Sequence, residues 1–317
     1  MHPDLQPAKL IALALVLVSL LAARPAAAEG FVRLGTAGEN GVYFALGSEI
    51  CRAVNAHSDG PGVRCAPVVT AGSVANLRTV RDGQLPLALA QWNDLRALAA
   101  PQVQALVALH DEAFVLVAGP AVRGEGVAAL RGARVNLGQA GSGHAAAMAA
   151  ALAAAGLGEG DMAAVTRQAT APALATLCAG EIDAVPLMIG HPVAAVAEAV
   201  QRCGARLLVP APAEVAAMTA GGALLPVTLP SGTYPGQAPD LPSAGTPVVL
   251  IASADLPETV AAAVVDSLHR GLERIAGGHP ALRTLTPGAL TRPLPGVPRH
   301  AGAAALFRSA KPQGGSE

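Results

Sequence analysis

Aromatic residues are almost missing from this chain: one Trp, two Tyr and four Phe in 317 positions. A core with so few rings must be assembled from many small contacts among alanine, valine and leucine. Charge is scarce and balanced, with 21 Lys and Arg against 22 Asp and Glu. That balance excludes the basic surface that a nucleic acid or an anionic membrane would select. Local signatures of catalysis are missing too. There is no Gly-x-Ser-x-Gly elbow and no His-Glu-x-x-His helix, and no serine in an elbow context accompanies Asp183 and His191. Neither Cys-x-x-Cys nor His-x-x-x-His spacing occurs, so no metal site is expected. These absences leave binding without chemistry, without a cofactor, as the expected role.

The N-terminus carries a recognisable leader. Lys9 precedes an apolar run from Leu10 to Ala23, broken by Arg24-Pro25, and Ala26-Ala27-Ala28 supplies a small-x-small cleavage pattern. The run is shorter than the ~20 residues of a spanning helix, and no second such stretch follows. No cysteine stands at the cleavage point to carry a lipid. Residues 1–28 therefore read as a signal peptide cleaved near Ala28, leaving 289 residues without a stable membrane anchor. The leader takes Lys9, Arg24 and Asp4 with it, so the mature chain holds 19 basic and 21 acidic groups. Four cysteines remain, Cys51, Cys65, Cys178 and Cys203, an even set suited to an oxidising compartment. Three pairings are possible; proximity favours Cys51–Cys65 and Cys178–Cys203, each worth roughly 3 kcal/mol in the chain-entropy picture.

Strand-like and helix-like patterns alternate along the mature chain. Phe31–Thr36, Val63–Thr70, Leu85–Gln91, Val103–Ala108, Ala113–Ala118 and Arg134–Leu137 are apolar runs of strand length. Between Gly41 and His57, Val42, Leu46, Ile50 and Val54 recur every fourth residue and mark one buried helical face. Asn76–Arg81 and His144–Ala155 also read as helical. A second set of strands follows at Ala163–Arg167, Ile182–Met188 and Ala205–Val209, with a return strand at Thr246–Ala252 and a helix over Pro257–Ala276. This rhythm predicts an α/β fold with largely parallel sheets covered by helices. Gly119-Pro120 and Gly124-Glu125-Gly126 mark a crossing between two lobes, one discontinuous (29–118 plus 224–317) and one inserted (119–223). Ala211–Gly245, rich in proline and glycine, reads as loop, and Lys311–Glu317 as a frayed tail. His191-Pro192 reads as a helix opening with proline in its first turn.

Three small-residue loops carry the functional reading. Gly35–Tyr43, Thr70–Asn76 and Gly138–Gly143 each lead from a strand end into a helix start, where free N–H groups and the positive dipole end suit an anion. Ser73 stands as an N-cap with Asn76 three residues on, a pair that serves capping alone or capping plus a ligand. Tyr43 either meets the ligand or packs, and His144 either donates to an anion or sits on the surface. Gly138–Gly143 lacks dinucleotide spacing although Glu159 and Asp161 fall near the acidic position. A loop that grips a carboxylate needs the same glycines without the cofactor.

At these residues the chain resembles the TAXI class of solute-binding proteins, the extracytoplasmic receptors of TRAP transporters. The resemblance covers Gly35-Thr36…Gly41-Val42-Tyr43, Thr70-x-Gly72-Ser73-Val74-x-Asn76-Leu77 and Gly83-x-Leu85…Ala88-x-Ala90-Gln91. It continues through Val135-Asn136-x-Gly138-x-x-Gly141-Ser142-Gly143, Gly180-x-Ile182-Asp183-Ala184 and Gly190-His191-Pro192. Pro230-Ser231-Gly232-Thr233-Tyr234 and Ala252–Pro257 complete it, and the cysteine pairs look like those of one TAXI subgroup. What the resemblance implies is a periplasmic receptor of two-lobed, type II-like binding-protein fold. It would close on glutamate, glutamine, a dicarboxylate or a 2-oxoacid and deliver it to a TRAP permease. No arginine occupies the motif positions, so helix-terminal N–H groups, Ser73, Asn76 and Ser142 would hold the carboxylate. Gly38, Asn40, Gly41 and Tyr43 would line one side with Ser73 and Asn76; Gly141, Ser142 and His144 the other; and Gln91, Asn93 and Tyr234 the rim. Trp92-Asn93-Asp94 departs from the Ser-Asp frequent in the family, and His300-Ala301-Gly302-Ala303 from His-Pro-Gly-Ala. A monomer is expected. The alternatives are a binding protein that feeds a sensor and an exported enzyme on a similar scaffold.

Overall fold

The computed structural model describes residues 30–56 and 62–309. The expected leader, residues 1–28, and the tail Lys311–Glu317 lie outside the described residues. The chain opens with β1 (Phe31–Gly35), α1 (Val42–Ala56), β2 (Arg64–Val68), α2 (Ser73–Arg81), β3 (Leu87–Gln91), α3 (Trp92–Leu98) and β4 (Val103–Ala118). It continues through β5 (Arg134–Asn136), α4 (Gly143–Ala154), β6 (Ala164–Thr166), α5 (Thr170–Cys178), β7 (Ala184–Ile189), α6 (Ala194–Cys203) and β8 (Arg206–Leu208). The return consists of α7 (Pro212–Thr219), β9 (Leu225–Leu229), β10 (Leu241–Ser253), α8 (Glu258–Arg270), α9 (Leu272–Gly277), α10 (Pro287–Leu290) and α11 (Ala304–Ser309).

One ten-stranded sheet runs in the order β2-β1-β3-β10-β4-β7-β5-β6, with β8 added on β4 and β9 on β10. Its wings are parallel: β1 pairs β2 and β3, and β5 pairs β6 and β7. The centre is not. The long strands β4 and β10 pair antiparallel with each other and with β3, β7, β8 and β9. A largely parallel sheet was the expectation, and this antiparallel seam corrects it. Short βαβ crossovers build each wing, whereas two strands that run the length of the molecule must meet head to tail.

β4 also replaces the two strands expected at 103–108 and 113–118. The polar triplet His110-Asp111-Glu112 splits the apolar pattern without breaking the backbone, and both flanks are buried on both faces. Up to Ala113 the strand pairs with β10; from Ala113 to Ala118 it pairs with β7. Pairing between β4 and β10 slips between Pro247 and Val249, opposite the triplet. Ala211–Gly245 is likewise more ordered than a loop, holding α7, β9 and the first residues of β10. The helix read over Pro257–Ala276 is two, α8 and α9, meeting at Gly271. α6 begins at Ala194, so proline lies before its first turn and not within it.

The core follows the composition. Val42, Leu46, Ile50 and Val54 of α1 are buried against β1 and β2, on the face their spacing marks. A separate cluster in the other wing gathers Phe114, Leu116, Val135, Met148 and Met188. Rings matter at few points: Phe114 and Trp92 are buried, while Phe31 is 64% exposed. Both favoured disulfides form. Cys51–Cys65 ties α1 to β2, and Cys178–Cys203 joins the C-terminal ends of α5 and α6. Among the described residues no helix is long and apolar enough to cross a membrane.

Candidate functional site

In the first wing the loops after β1 and β2 are laced together. Thr36 N–H and its hydroxyl both donate to Val68 O (2.9 and 2.8 Å), and the Thr70 hydroxyl donates to Thr36 O at 2.8 Å. Gly72, at φ 107°, takes the N-cap position of α2, a conformation that suits a residue without Cβ. Ser73 is therefore the first helical residue and not the expected N-cap. Its hydroxyl donates to Asp94 Oδ2 (2.7 Å) and accepts from Gln91 N–H (2.9 Å). Asn76 turns inward. Its amide donates to Thr36 O and Leu89 O, both at 2.7 Å, binding the ends of β1 and β3 beneath the loop.

In the second wing Ser142 is a true N-cap. It accepts from Ala145 N–H at 3.2 Å and donates to Gln139 O at 2.6 Å. His144 Nδ1 accepts from Met188 N–H at 3.0 Å, which assigns the ring hydrogen to Nε2. Burial lowers the His144 pKa to about 4, so the ring is neutral near pH 7. Asn136 clamps the neighbouring turn, accepting from Gln168 N–H (2.8 Å) and Thr166 Oγ1 (3.0 Å).

Between the wings lies a cavity of roughly 300 Å³. Residues at the N-terminal ends of α1, α2, α4, α5 and α6 all line it. The first-turn amides of Val42, Tyr43, Ser73, Gly143, His144, Thr170 and Ala171 have no acceptor among the described residues. Each helix start presents partial positive charge. Among the described residues no Lys or Arg lines the cavity; its apolar wall includes Pro172, Pro186, Met188, Ile189 and Val193. Its floor is polar. Gln91 Nε2 donates to Glu112 Oε2 at 2.5 Å and approaches Met188 O at 3.5 Å, linking β3, β4 and β7. Tyr43 Oη, Gln91 Oε1 and Gln168 Oε1 are buried without partners among the described residues. Burial, then Glu112 and Asp94, push the Tyr43 pKa well above its ordinary value. Among the described residues no group of three or more His, Cys, Asp or Glu is placed to hold a metal ion.

Of the residues singled out in the sequence, Gly38, Asn40, Gly41, Tyr43, Ser73, Gln91, Ser142 and His144 line this cavity. Four do not. Asn76 is fully buried under the loop. Asn93 points its amide at Asp94 Oδ1 (2.9 Å) while its N–H reaches Thr246 Oγ1 (3.3 Å). Gly141 lends its carbonyl to Ala75 N–H at 2.9 Å, a bond from the second wing to the start of α2 in the first. Tyr234 accepts from Val193 N–H at 2.9 Å and meets His191 Nδ1 at 2.7 Å, bracing the residues before α6. The residues missed are Glu112, Asn136 and Gln168. For Glu112 the signal was present, a charged group inside an otherwise apolar strand; Asn136 stood within the motif Val135–Gly143 without being singled out, and Gln168 carried no signal.

Residues 34–310 match the NMT1-like family. Among solved structures, a protein from Bordetella bronchiseptica RB50 is similar at 18% identity, covering 90% of this chain and 91% of that one, with a TM-score of 0.57. A Xanthomonas citri protein bound to a chloride ion is similar at 11% identity, covering 88% and 95%, with a TM-score of 0.51. The alkanesulfonate-binding protein SsuA from Xanthomonas axonopodis pv. citri, bound to MOPS, is similar at 18% identity over 89% and 90%, at 0.48. These likenesses concern the fold. Two α/β wings on a shared antiparallel seam make the mixed, two-lobed, type II-like architecture.

Proposed function

The chain belongs to the NMT1-like family, and on that premise we propose that it is a periplasmic solute-binding receptor of the TAXI kind. It captures a small organic anion, of the class of glutamate, glutamine, dicarboxylates and 2-oxoacids, and hands it to a TRAP-type permease without chemical change. One observation carries the reading: five helix N-termini from both wings converge on one cavity, and seven first-turn amides from four of them have no acceptor among the described residues. Such amides hold an anion by hydrogen bonds of about 1.5–3 kcal/mol each and need no basic side chain. His144 Nε2–H, the Tyr43 hydroxyl and Asn40 add donors from both sides. The lobes are 29–118 plus 224–317 and 119–223, with β4 and β10 as the hinge that lets them close. Two disulfides suit an oxidising compartment.

The test is a thermal-shift series on the purified protein with both disulfides intact. The acids are glutamate, glutamine, 2-oxoglutarate, C4 dicarboxylates and branched 2-oxoacids. Ligand at about a hundred times its Kd adds ~2.7 kcal/mol, which raises Tm by several degrees. A shift with one class of acid, and recovery of that acid intact, supports the receptor reading. Turnover of the acid would replace it with an enzyme.

A further inference from the structure

Glu112 is an acidic side chain in the wall of a cavity that the helix dipoles make suitable for anions. It is 2% exposed and lies in the middle of β4, where the strand passes from one wing to the other. A carboxylate there would be stranded. Its polar contact is the Gln91 amide, at 2.5 Å. His110 Nε2 stands 4.0 Å from Oε1, but that ring is itself fully buried, and burial with His279 and Arg292 nearby lowers its pKa to about 3. The other titratable groups around Glu112 are Tyr43 from α1, Asp94 from α3, its neighbour Asp111 and, lining the same cavity, Glu39 before α1 and His144 of α4, whose ring burial keeps neutral near pH 7. A buried, unpaired carboxylate neutralises by taking up a proton.

We propose that Glu112, carrying its proton, is part of the ligand site: with Gln91 it offers the bound acid a hydrogen-bond donor that is lost when Glu112 ionises. The inference rests on the acid-receptor reading above and adds a protonation step to it. With the Gln91 amide as assigned, Oε2 accepts from Nε2 and the acid's O–H is left for the ligand. With the amide turned, the acid donates to Gln91 Oε1, and the freed N–H serves the ligand instead. Either way the donor exists only while Glu112 holds its proton.

The sign of the pH effect follows. Burial holds the Glu112 pKa well above the ordinary carboxylate range; the Gln91 hydrogen bond pulls it back, and Asp94 and Asp111 push it up again. A bound anion raises it further, so binding above the free protein's pKa takes a proton from solvent and affinity falls as pH rises. Calorimetry in two buffers of different ionisation heat, between about pH 6 and pH 9, measures this directly with 4-methyl-2-oxopentanoate and 2-oxoglutarate. The acid that binds should do so with uptake of up to one proton and with weakening affinity at high pH. E112Q keeps a donor but has no proton to lose, so its affinity stays level with pH and the uptake disappears. E112A should lose roughly ten- to a hundredfold in affinity at low pH. Affinity that rises with pH, or that stays level in the unaltered protein, would overturn the role of Glu112 alone. Binding of neither acid at any pH would overturn the acid-receptor reading and this inference with it.

Discussion

Asp94 shows how one side chain can support the cavity without touching what it holds. It sits in the first turn of α3, receives the Ser73 hydroxyl at 2.7 Å and the Asn93 amide at 2.9 Å, and is almost wholly buried. Burial pushes its pKa up to about 6 despite both hydrogen bonds. In the unfolded chain the same carboxyl titrates near 3.9, so between about pH 4 and pH 6 the folded state holds a proton the unfolded state has lost. Stability should therefore fall as pH rises through that window, by roughly 3 kcal/mol in all, and urea unfolding of D94N should lack this component. An equal slope in D94N would assign the effect to another group. Sequence reading reached Ser73 and Asn76 by residue type but misjudged their work. Ser73 spends its hydroxyl on Asp94 and Gln91, and Asn76 gives its amide N–H groups to Thr36 O after β1 and Leu89 O within β3. The partners lie 13 to 40 residues away in sequence, beyond what local spacing can show.

Elements legible in the sequence were those with local periodicity. The buried stripe of α1 and the starts of α1, α2 and α4 follow their glycine-rich loops closely. β4 was hidden because its polar triplet imitates a turn, and β9 because Ala211–Gly245 is punctuated by proline and glycine while its order comes from pairing with β10. The approach of α4 to β3 is a contact between elements that no local pattern encodes. A Cβ at Gly143 would overlap Gln91 Oε1, which stands at the end of β3. Gly143→Ala should cost about 1–3 kcal/mol by overpacking. In the Q91A background the same change should cost markedly less, because the clashing atoms are gone. Equal costs in both backgrounds, measured by urea midpoint, would show that α4 does not press on Gln91.

Away from the cavity the wings are held together by Arg96 on Gly222 O and by Tyr234 on Val193 N–H and His191, so closure by a ligand concerns the contacts at the cavity itself. Ala75 N–H to Gly141 O at 2.9 Å joins the start of α2 to the glycine loop opposite, and Gln91 reaches Met188 O at 3.5 Å. Opening of the cavity would break these two contacts while β4 and β10 keep the wings attached. A Cβ built on Gly141 lies 3.6 Å from Ala75 Cβ, within the separation a disulfide spans. Gly141 has φ 80°, so a cysteine there carries about 1 kcal/mol of backbone strain, less than a cross-link typically contributes. The double variant A75C/G141C should thus oxidise in the closed form and hold the wings together over the cavity. Ligand then cannot enter or leave at its normal rate: exchange of a bound acid, followed by stopped flow, should slow at least tenfold on oxidation. Mild reduction that spares Cys51–Cys65 and Cys178–Cys203 should restore it. Exchange that ignores the cross-link would mean that ligand reaches the cavity by a route other than separation of the wings.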